Sequence, residues 1–364
     1  MQIPDFNDVL AAHERIRPWI HQTPVMTSRY FDDRSGATLF FKCENFQKVG
    51  AFKARGAVNA VFSLPQELLQ AGVSTHSSGN HALGLAYAAG ARGIPCHVVM
   101  PHTAPQAKKA AVLGYEGQIT ECEPSMVARE ATLEDLQSRT GADFVHPYND
   151  PRVIAGQATC ARELVQQVPD LDLVIAPIGG GGLISGCCVT LAAMAPDITI
   201  YAAEPLQADD AARSLRAGRL ITDEARQTVA DGLKMPMKPL TWHFVQRYVS
   251  DILTVDEQSI IDAMHLVWQR MKIIIEPSCA VPVAAVFNGK VDVAGKRAGI
   301  TVRRRGACRP PATRHRWVTR VSGPHPSRRR TRPARLHTRA FARRRTARQH
   351  GCCSRRRGRL RCWR

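Results

Sequence analysis

The run Leu171–Ala176, apolar but for Asp172, passes straight into Pro177-Ile178-Gly179-Gly180-Gly181-Gly182, and a second apolar stretch, Leu183–Met194, follows at once. Apolar residues at consecutive positions suit a strand buried on both faces, the condition of a parallel sheet covered by helices. The glycines then clear side chains from the place where strand gives way to helix. There the first N–H groups of the helix stay open to an anion. The same alternation continues along the chain. Ile94–Met100 reads as a strand, Ala104–Leu113 as a helix, Gln118–Cys122 as a strand, Arg152–Gln167 as a helix and Ile198–Ala203 as a strand. This order implies an α/β fold with a mainly parallel sheet and helices on both faces. Such sheets bind ligands at the C-terminal ends of their strands, where helices begin. Gly179–Gly182 falls at that kind of junction, and so does Ser77-Ser78-Gly79-Asn80-His81. No internal repeat is evident.

Lys53, in Gly50-Ala51-Phe52-Lys53-Ala54-Arg55-Gly56-Ala57, completes a set of three signatures. A lone lysine is ordinarily a solvated surface group, and a glycine run is ordinarily a turn. In this order they have a joint chemistry. A lysine amine forms a Schiff base with an aldehyde cofactor, and glycine N–H groups opening a helix cradle that cofactor's phosphate. The cofactor that fits is pyridoxal 5′-phosphate (PLP).

Charge divides the chain near Val302. The whole sequence carries 50 basic and 31 acidic residues. Residues 303–364 hold 23 Arg and no Lys, Asp or Glu, which leaves 27 basic against 31 acidic before them, a net of −4. The basic balance therefore belongs to the tail, and the body offers no basic stripe for nucleic acid. Met1–Ile20 lacks the apolar core of a secretory signal, and no apolar run reaches the ~18 residues of a membrane span. The body's cysteines (43, 96, 122, 160, 187, 188 and 279) have no metal-binding spacing, and several sit in apolar runs. This is the pattern of reduced, buried thiols, so a cytoplasmic enzyme without a membrane segment is expected.

Residues 1–302 resemble the fold-type-II PLP enzymes of the serine/threonine dehydratase and serine racemase family, with the threo-3-hydroxyaspartate dehydratases as the most similar branch. The resemblance is carried by Lys42-Cys43-Glu44-Asn45-Phe46-Gln47, Ala51-Phe52-Lys53-Ala54-Arg55-Gly56 and Ser77–His81. Further matches are His146-Pro147, Ala155-Gly156-Gln157, Gly179–Gly182, Glu204-Pro205 with Ala208-Asp209-Asp210, Ala230-Asp231-Gly232 and Ile275-Glu276-Pro277. It implies two open, twisted parallel-sheet domains: a large PLP-binding domain from 1–71 and 150–302, and a small domain from 72–149. It also implies a homodimer. The implied activity is that of an ammonia-lyase, converting 3-hydroxyaspartate, serine or threonine to a 2-keto acid and ammonia; serine racemase is the alternative.

The resemblance also implies roles for particular residues. Lys53 would carry PLP and, once displaced by the substrate amine, take the Cα proton, which requires a pKa well below the free value of about 10.4. Phe52 would pack beside the ring, Asn80 would hydrogen-bond its 3′-oxygen, and Gly179, Gly180, Gly181 and Gly182 would bind phosphate. Gly232 and Glu276 complete the cofactor set. Ser77, Asn80 and His81 would grip the substrate α-carboxylate, and Arg129 a second carboxylate. Ser78 is placed as the second acid/base of a racemase, or as a cap for the helix beginning near Asn80. Glu204, the Ala208 carbonyl and Asp210 match a divalent-cation site suited to Mg²⁺, Mn²⁺ or Ca²⁺; the plainer reading is an acidic loop.

After Val302 the family continues into a Ser/Thr-Gly-Gly-Asn-Val-Asp-Leu segment whose hydroxyl contacts the pyridine nitrogen. Here Arg303-Arg304-Arg305-Gly306-Ala307-Cys308-Arg309-Pro310 stands instead. Codons for Arg305–Pro311 shifted by one base permit Gly-Gly-(His, Leu, Pro or Arg)-Val-Asp-Leu, close to the family segment. The 303–364 tail thus reads as an out-of-frame C-terminus that lacks the nitrogen contact. The rival reading is a disordered Arg-rich tail that binds nucleic acid.

Overall fold

The computed structural model describes residues 2–222 and 227–303. The readings of the Arg-rich tail therefore fall, from residue 304 onward, outside the described residues. Arg303 falls inside them.

Among the described residues ten strands form two sheets. In chain order they are β1 (Val25–Met26), β2 (Thr38–Cys43), β3 (Val73–His76), β4 (Cys96–Pro101), β5 (Gln118–Cys122), β6 (Asp143–Phe144), β7 (Leu173–Pro177), β8 (Thr199–Pro205), β9 (Asp251–Val255) and β10 (Arg297–Val302). One sheet has the order β1-β2-β10-β7-β8-β9 and the other β5-β4-β3-β6. Every pairing is parallel except β1 with β2, which is antiparallel. The α/β architecture read from the alternation is present.

Local chemistry explains the element boundaries. All five residues of β7 are buried, as a strand covered on both faces requires. The helix Pro151–Gln167 opens with Asp150 as N-cap, accepting from the Arg152 and Val153 N–H groups, and with Pro151 at its first position. β4 begins at Cys96 rather than Ile94 because Ile94 N–H still bonds the preceding helix at Ala89 O, and Pro95 has no N–H to give the ladder. β10 is central, with Val302 beside Cys43 of β2 and Ile300 beside Ile175 of β7. Its last residue therefore delivers Arg303 to the ligand-binding end of the sheet.

Among the described residues the apolar interior falls into two large clusters packed on the six-stranded sheet and, on the four-stranded sheet, a third and a small fourth. The seven body cysteines are buried and free, and burial pushes the Cys43, Cys96, Cys187 and Cys279 thiols up to about 12. They are packing groups, not nucleophiles. Among the described residues no helix is long and apolar enough to cross a membrane.

Candidate active site

The C-terminal ends of β3, β7 and β10 and the start of the Lys53–Phe62 helix meet at one cavity of about 850 Å³. Lys53 is the first residue of its helix. Its Nζ donates to the Pro147 carbonyl at 2.6 Å and lies 5.3 Å from the centroid of the Phe52 ring. Burial, and secondarily the charge of Arg303, lowers its pKa to about 7. A lysine in that range is substantially neutral near pH 7 and can act as nucleophile and base.

The glycine run is a cradle too tight for side chains. A Cβ on Gly179 would lie 2.7 Å from Leu233 Cα, and one on Gly180 2.5 Å from Tyr148 Cδ1. Gly181 is the N-cap of the helix Gly182–Met194 and takes φ +86°, a left-handed conformation that glycine adopts without steric cost. The result is a helix N-terminus open to the cavity, where backbone N–H groups suit a phosphate. Tyr148 backs this cradle, and its ring stands edge-on to His146 at 4.6 Å. His146 Nδ1 accepts from the Tyr148 and Asn149 N–H groups, so this nitrogen carries no proton. Burial and the neighbouring His76 lower the His146 pKa to about 3. The segment carrying the Lys53 acceptor, Pro147, is thus held by a neutral histidine.

Ser77–His81 leads into the helix Asn80–Arg92, and the Asn80 and His81 N–H groups lie in its unpaired first turn. Ser77 Oγ accepts from Gly79 N–H at 3.4 Å. The capping role open to Ser78 is not realised: Gly79 is the N-cap and no side chain bonds the helix start. Ser78 instead lines the same cavity as Lys53. His81 is buried, with Nε2 bonded to Val145 O at 3.0 Å and Nδ1 without a hydrogen-bond partner. Burial, and then Lys53, depresses its pKa well below 6.5. Since Nε2 must donate to a carbonyl, a neutral ring leaves Nδ1 only able to accept. Any grip of His81 on an anion therefore comes from its backbone N–H.

Glu276 and Gly232 meet at the inner wall. Burial raises the Glu276 pKa, against the charge of Arg303 and hydrogen bonds from Asn80 and Ser278. Gly232 N–H donates to Ser278 Oγ at 3.2 Å, and a Cβ there would meet Arg303 Nη2 at 2.6 Å. Arg129 opens onto the cavity with a buried Nε that has no hydrogen-bond partner. Among the described residues the lining carries six Lys or Arg side chains against three carboxylates, an excess that suits an anionic cofactor and an anionic substrate.

Arg303 is the member that sequence reasoning assigns to the tail. Its guanidinium lies 5.0 Å from the Phe52 ring centroid and its Nε 2.7 Å from Glu276 Oε1. Its place directly after the apolar strand Ala298–Val302 is the available signal. Tyr148 leaves no such trace, because a packing ring carries no motif of its own, and the matched pair His146-Pro147 does not reveal that the Pro147 carbonyl is the acceptor of Lys53.

The model of the pyridoxal-phosphate dependent enzymes matches residues 16–302. The chain belongs to that family. It is 60% identical over 302 residues to the beta-hydroxyaspartate dehydratase of Paracoccus denitrificans (strain Pd 1222), covering 83% of this chain and 96% of that protein. The structure of maize serine racemase superposes with a TM-score of 0.83 at 43% identity, over 84% of this chain and 95% of that one. A threonine deaminase from T.th. gives a TM-score of 0.80 at 37% identity, over 85% and 100%. The family fits the site: an amine for the aldehyde, a cradle that excludes side chains, and an excess of positive charge.

Proposed function

We propose that this PLP enzyme is an ammonia-lyase that dehydrates β-hydroxy amino acids, with 3-hydroxyaspartate as its first substrate. The observation that carries the reading is Lys53 itself, a lysine with a pKa of about 7 that shares one cavity with the glycine cradle and the Ser77–His81 helix start. Gly179–Gly182 would hold the phosphate, Phe52 the ring face and Asn80 the phenolic oxygen. When bound, PLP supplies an electron sink that acidifies the substrate Cα–H. Lys53 would hold the cofactor's aldehyde carbon, and its free amine, buried and with a pKa of about 7, would accept the Cα proton. Ser77 Oγ and the Asn80 and His81 N–H groups orient the α-carboxylate. The β-hydroxyl leaves as water, and the released enamine takes up water to give a 2-keto acid and ammonia.

Arg129 favours a substrate with a second carboxylate, because its buried Nε is left without an acceptor in the protein. The 60% identity to a beta-hydroxyaspartate dehydratase supports the same choice. The test compares keto-acid release from 3-hydroxyaspartate, serine and threonine by the PLP-loaded chain, with Lys53→Ala as the inactive control. Arg129→Ala should raise KM for hydroxyaspartate far more than for serine. Equal effects on both would remove the dicarboxylate assignment, and a chain that takes up no PLP would sink the whole reading.

Racemisation is the second reading, because Ser78 lines the cavity together with Lys53. Ser78→Ala should abolish any D-amino acid while sparing keto acid. No D-product in the unaltered chain would restrict it to elimination.

The reading extends to a divalent cation held by Glu204, Asp210 and the Ala208 carbonyl. Glu204 ends up buried near the end of β8, with burial and the nearby Asp210 and Asp209 raising its pKa and the Ala212 N–H opposing them. An oxygen cluster of this charge is a donor set for a hard cation. Among the described residues no three His, Cys, Asp or Glu side chains form a group that could hold a metal, so Glu204 and Asp210 would need the Ala208 carbonyl and water to complete the set.

A further inference from the structure

We propose that Arg303, locked against Glu276 at the inner wall of the cavity, is the partner of the PLP ring nitrogen and holds that nitrogen unprotonated. The proposal rests on the family's cofactor binding at Lys53, and its test reads that step separately.

The placement of Arg303 is fixed by its main chain. Arg303 N–H donates to Cys279 Sγ at 3.0 Å, and Arg303 O accepts from Glu276 N–H at 3.2 Å. The residue is therefore bound on both sides to the start of the helix Pro277–Phe287 immediately after leaving β10. Its side chain has only one way to go, inward, and the residue is 5% exposed. Gly232 leaves the space for Nη2, since any side chain there would collide with it.

A buried guanidinium is costly unless its charge and its donors are both answered. Glu276 answers the charge at 2.7 Å. The donors are another matter: Arg303 Nε and Glu276 Oε1 face each other without hydrogen-bond alignment, and both lack a hydrogen-bond partner. The Cys279 sulfur is a weak acceptor. A guanidinium has five N–H donors and no acceptor, and Arg303 lines the cavity, so it can offer a donor to a ligand acceptor there.

The chemistry of PLP supplies one. With the phosphate in the Gly179–Gly182 cradle and the aldehyde carbon at Lys53, two polar ring atoms remain, the phenolic oxygen and the ring nitrogen. The nitrogen is para to the carbon bearing the aldehyde and hence on the far side of the ring from Lys53. Asn80, hydrogen-bonded to Glu276, is the neutral amide available to the oxygen. Arg303 is the donor left for the nitrogen. A donor-only group can bond a pyridine nitrogen only through its lone pair, so that nitrogen stays neutral. The charged or titratable neighbours of Arg303 are Glu276, Cys279 and Lys53, with Glu44 lining the small void beside it. Glu276 is the one that could donate a proton to the ring, and Arg303 keeps it paired. A neutral ring withdraws less charge from Cα than a pyridinium, which favours prompt loss of a β-hydroxyl over a long-lived carbanion.

The experiment loads the full chain with PLP labelled with ¹⁵N in the ring. The visible absorbance of Lys53-bound cofactor is recorded first; its absence would be a failure of the cofactor assignment, not of this proposal. The ¹⁵N resonance is then expected at the position of a neutral, hydrogen-bonded pyridine across neutral pH. Arg303→Met should move it toward the pyridinium position as Glu276 loses its partner, and should weaken PLP binding by about tenfold or more, the loss of one charge-assisted hydrogen bond. Arg303→Met with Glu276→Gln should bind as weakly but return the nitrogen to neutral. A pyridinium resonance in the unaltered chain would overturn the proposal even if Arg303→Met failed to fold. So would an unchanged resonance and affinity in a folded Arg303→Met protein.

Discussion

Gly156 in the middle of the helix Pro151–Gln167 packs directly on Gly56 of the Lys53–Phe62 helix, so closely that a Cβ on Gly156 would lie 2.5 Å from Gly56 Cα. The reciprocal Cβ on Gly56 would meet Gln157 Nε2 at 2.5 Å and Val153 O at 2.7 Å. The obstacles are largely backbone, so they cannot turn aside. This contact sets the height of the Lys53 helix above its neighbour and with it the reach of Lys53 toward Pro147. Gly156→Ala is expected to cost about 1–3 kcal/mol by overpacking, despite alanine's better helix propensity. Thermal unfolding should show a lower Tm together with weaker PLP retention. A protein as stable as the parent would mean that the two helices can separate freely.

A second device anchors the same helix from below. Arg55, two residues beyond Lys53, is wholly buried and donates to both Glu44 and Glu163 at 2.7–2.8 Å. Lys42 Nζ donates to Glu163 Oε2 at 2.7 Å, an oxygen that Arg55 also holds, and to Thr23 O and Gln167 Oε1. Burial by itself would raise the Glu163 pKa, but the bonds and charges of Arg55 and Lys42 outweigh it and hold the carboxyl below 4.5. Glu163→Gln leaves two buried cations facing one carboxylate, and the expected loss is about 3–5 kcal/mol. The urea midpoint reports it. A folded-state value below the unfolded one stabilises the protein above pH 4.5 and loses that stabilisation as pH falls through the lower folded value. Glu163→Gln should therefore flatten the acid limb of stability against pH. An unchanged midpoint and acid limb would make the network a bystander.

Much of this architecture is written in local pattern, and some of it is not. Gln118–Cys122 is legible to the residue, and β7 nearly so, because apolar runs bounded by turns and glycines need no distant information. The pairing of β10 between β2 and β7 is invisible locally, since it joins segments more than a hundred residues apart. So is the Lys42–Glu163 pair, separated by 121 residues. Ser78 suggests a cap because serine favours that position, but the glycine after it takes the N-cap conformation. Arg303 reads in sequence by the company it keeps, a run of arginines, rather than by the buried strand that delivers it. Composition is a property of a window, and burial is decided residue by residue.

The lowered Lys53 pKa gives a kinetic prediction. Only the neutral amine attacks the PLP aldehyde, so the rate at which dialysed apoprotein takes up PLP should climb with pH to about 7 and then level. An unperturbed lysine would keep the rate rising toward 10.5. The sign for stability follows from the same shift. The folded value lies below the unfolded one, so the unfolded chain binds the extra proton, and this group's contribution to apoprotein stability rises with pH between about 7 and 10.5. Burial is the larger cause and the Arg303 charge the smaller. Arg303→Met should accordingly move the kinetic midpoint upward without restoring it to the free value. A rate still climbing well above neutral pH in the unaltered chain would contradict the neutral-lysine account.

The cation reading is tested without reference to turnover. Glu204 at the end of β8 and Asp210 at the start of the Asp210–Ala217 helix are joined by the short turn that carries Ala208, so a bound ion would tie strand, turn and helix together. An ion that binds only the folded state stabilises it by mass action, by about 2.7 kcal/mol at a hundredfold excess over its dissociation constant. Chelator should therefore lower Tm, and Mg²⁺, Mn²⁺ or Ca²⁺ should restore it in a concentration-dependent way. Asp210→Asn should remove the response to added metal while leaving the chelated protein's Tm nearly unchanged. That second arm separates a metal ligand from a carboxylate that merely braces its own helix, because a brace would cost stability with or without metal. A Tm indifferent to chelator and to all three ions would reduce Glu204 and Asp210 to an acidic turn at the C-terminal end of β8.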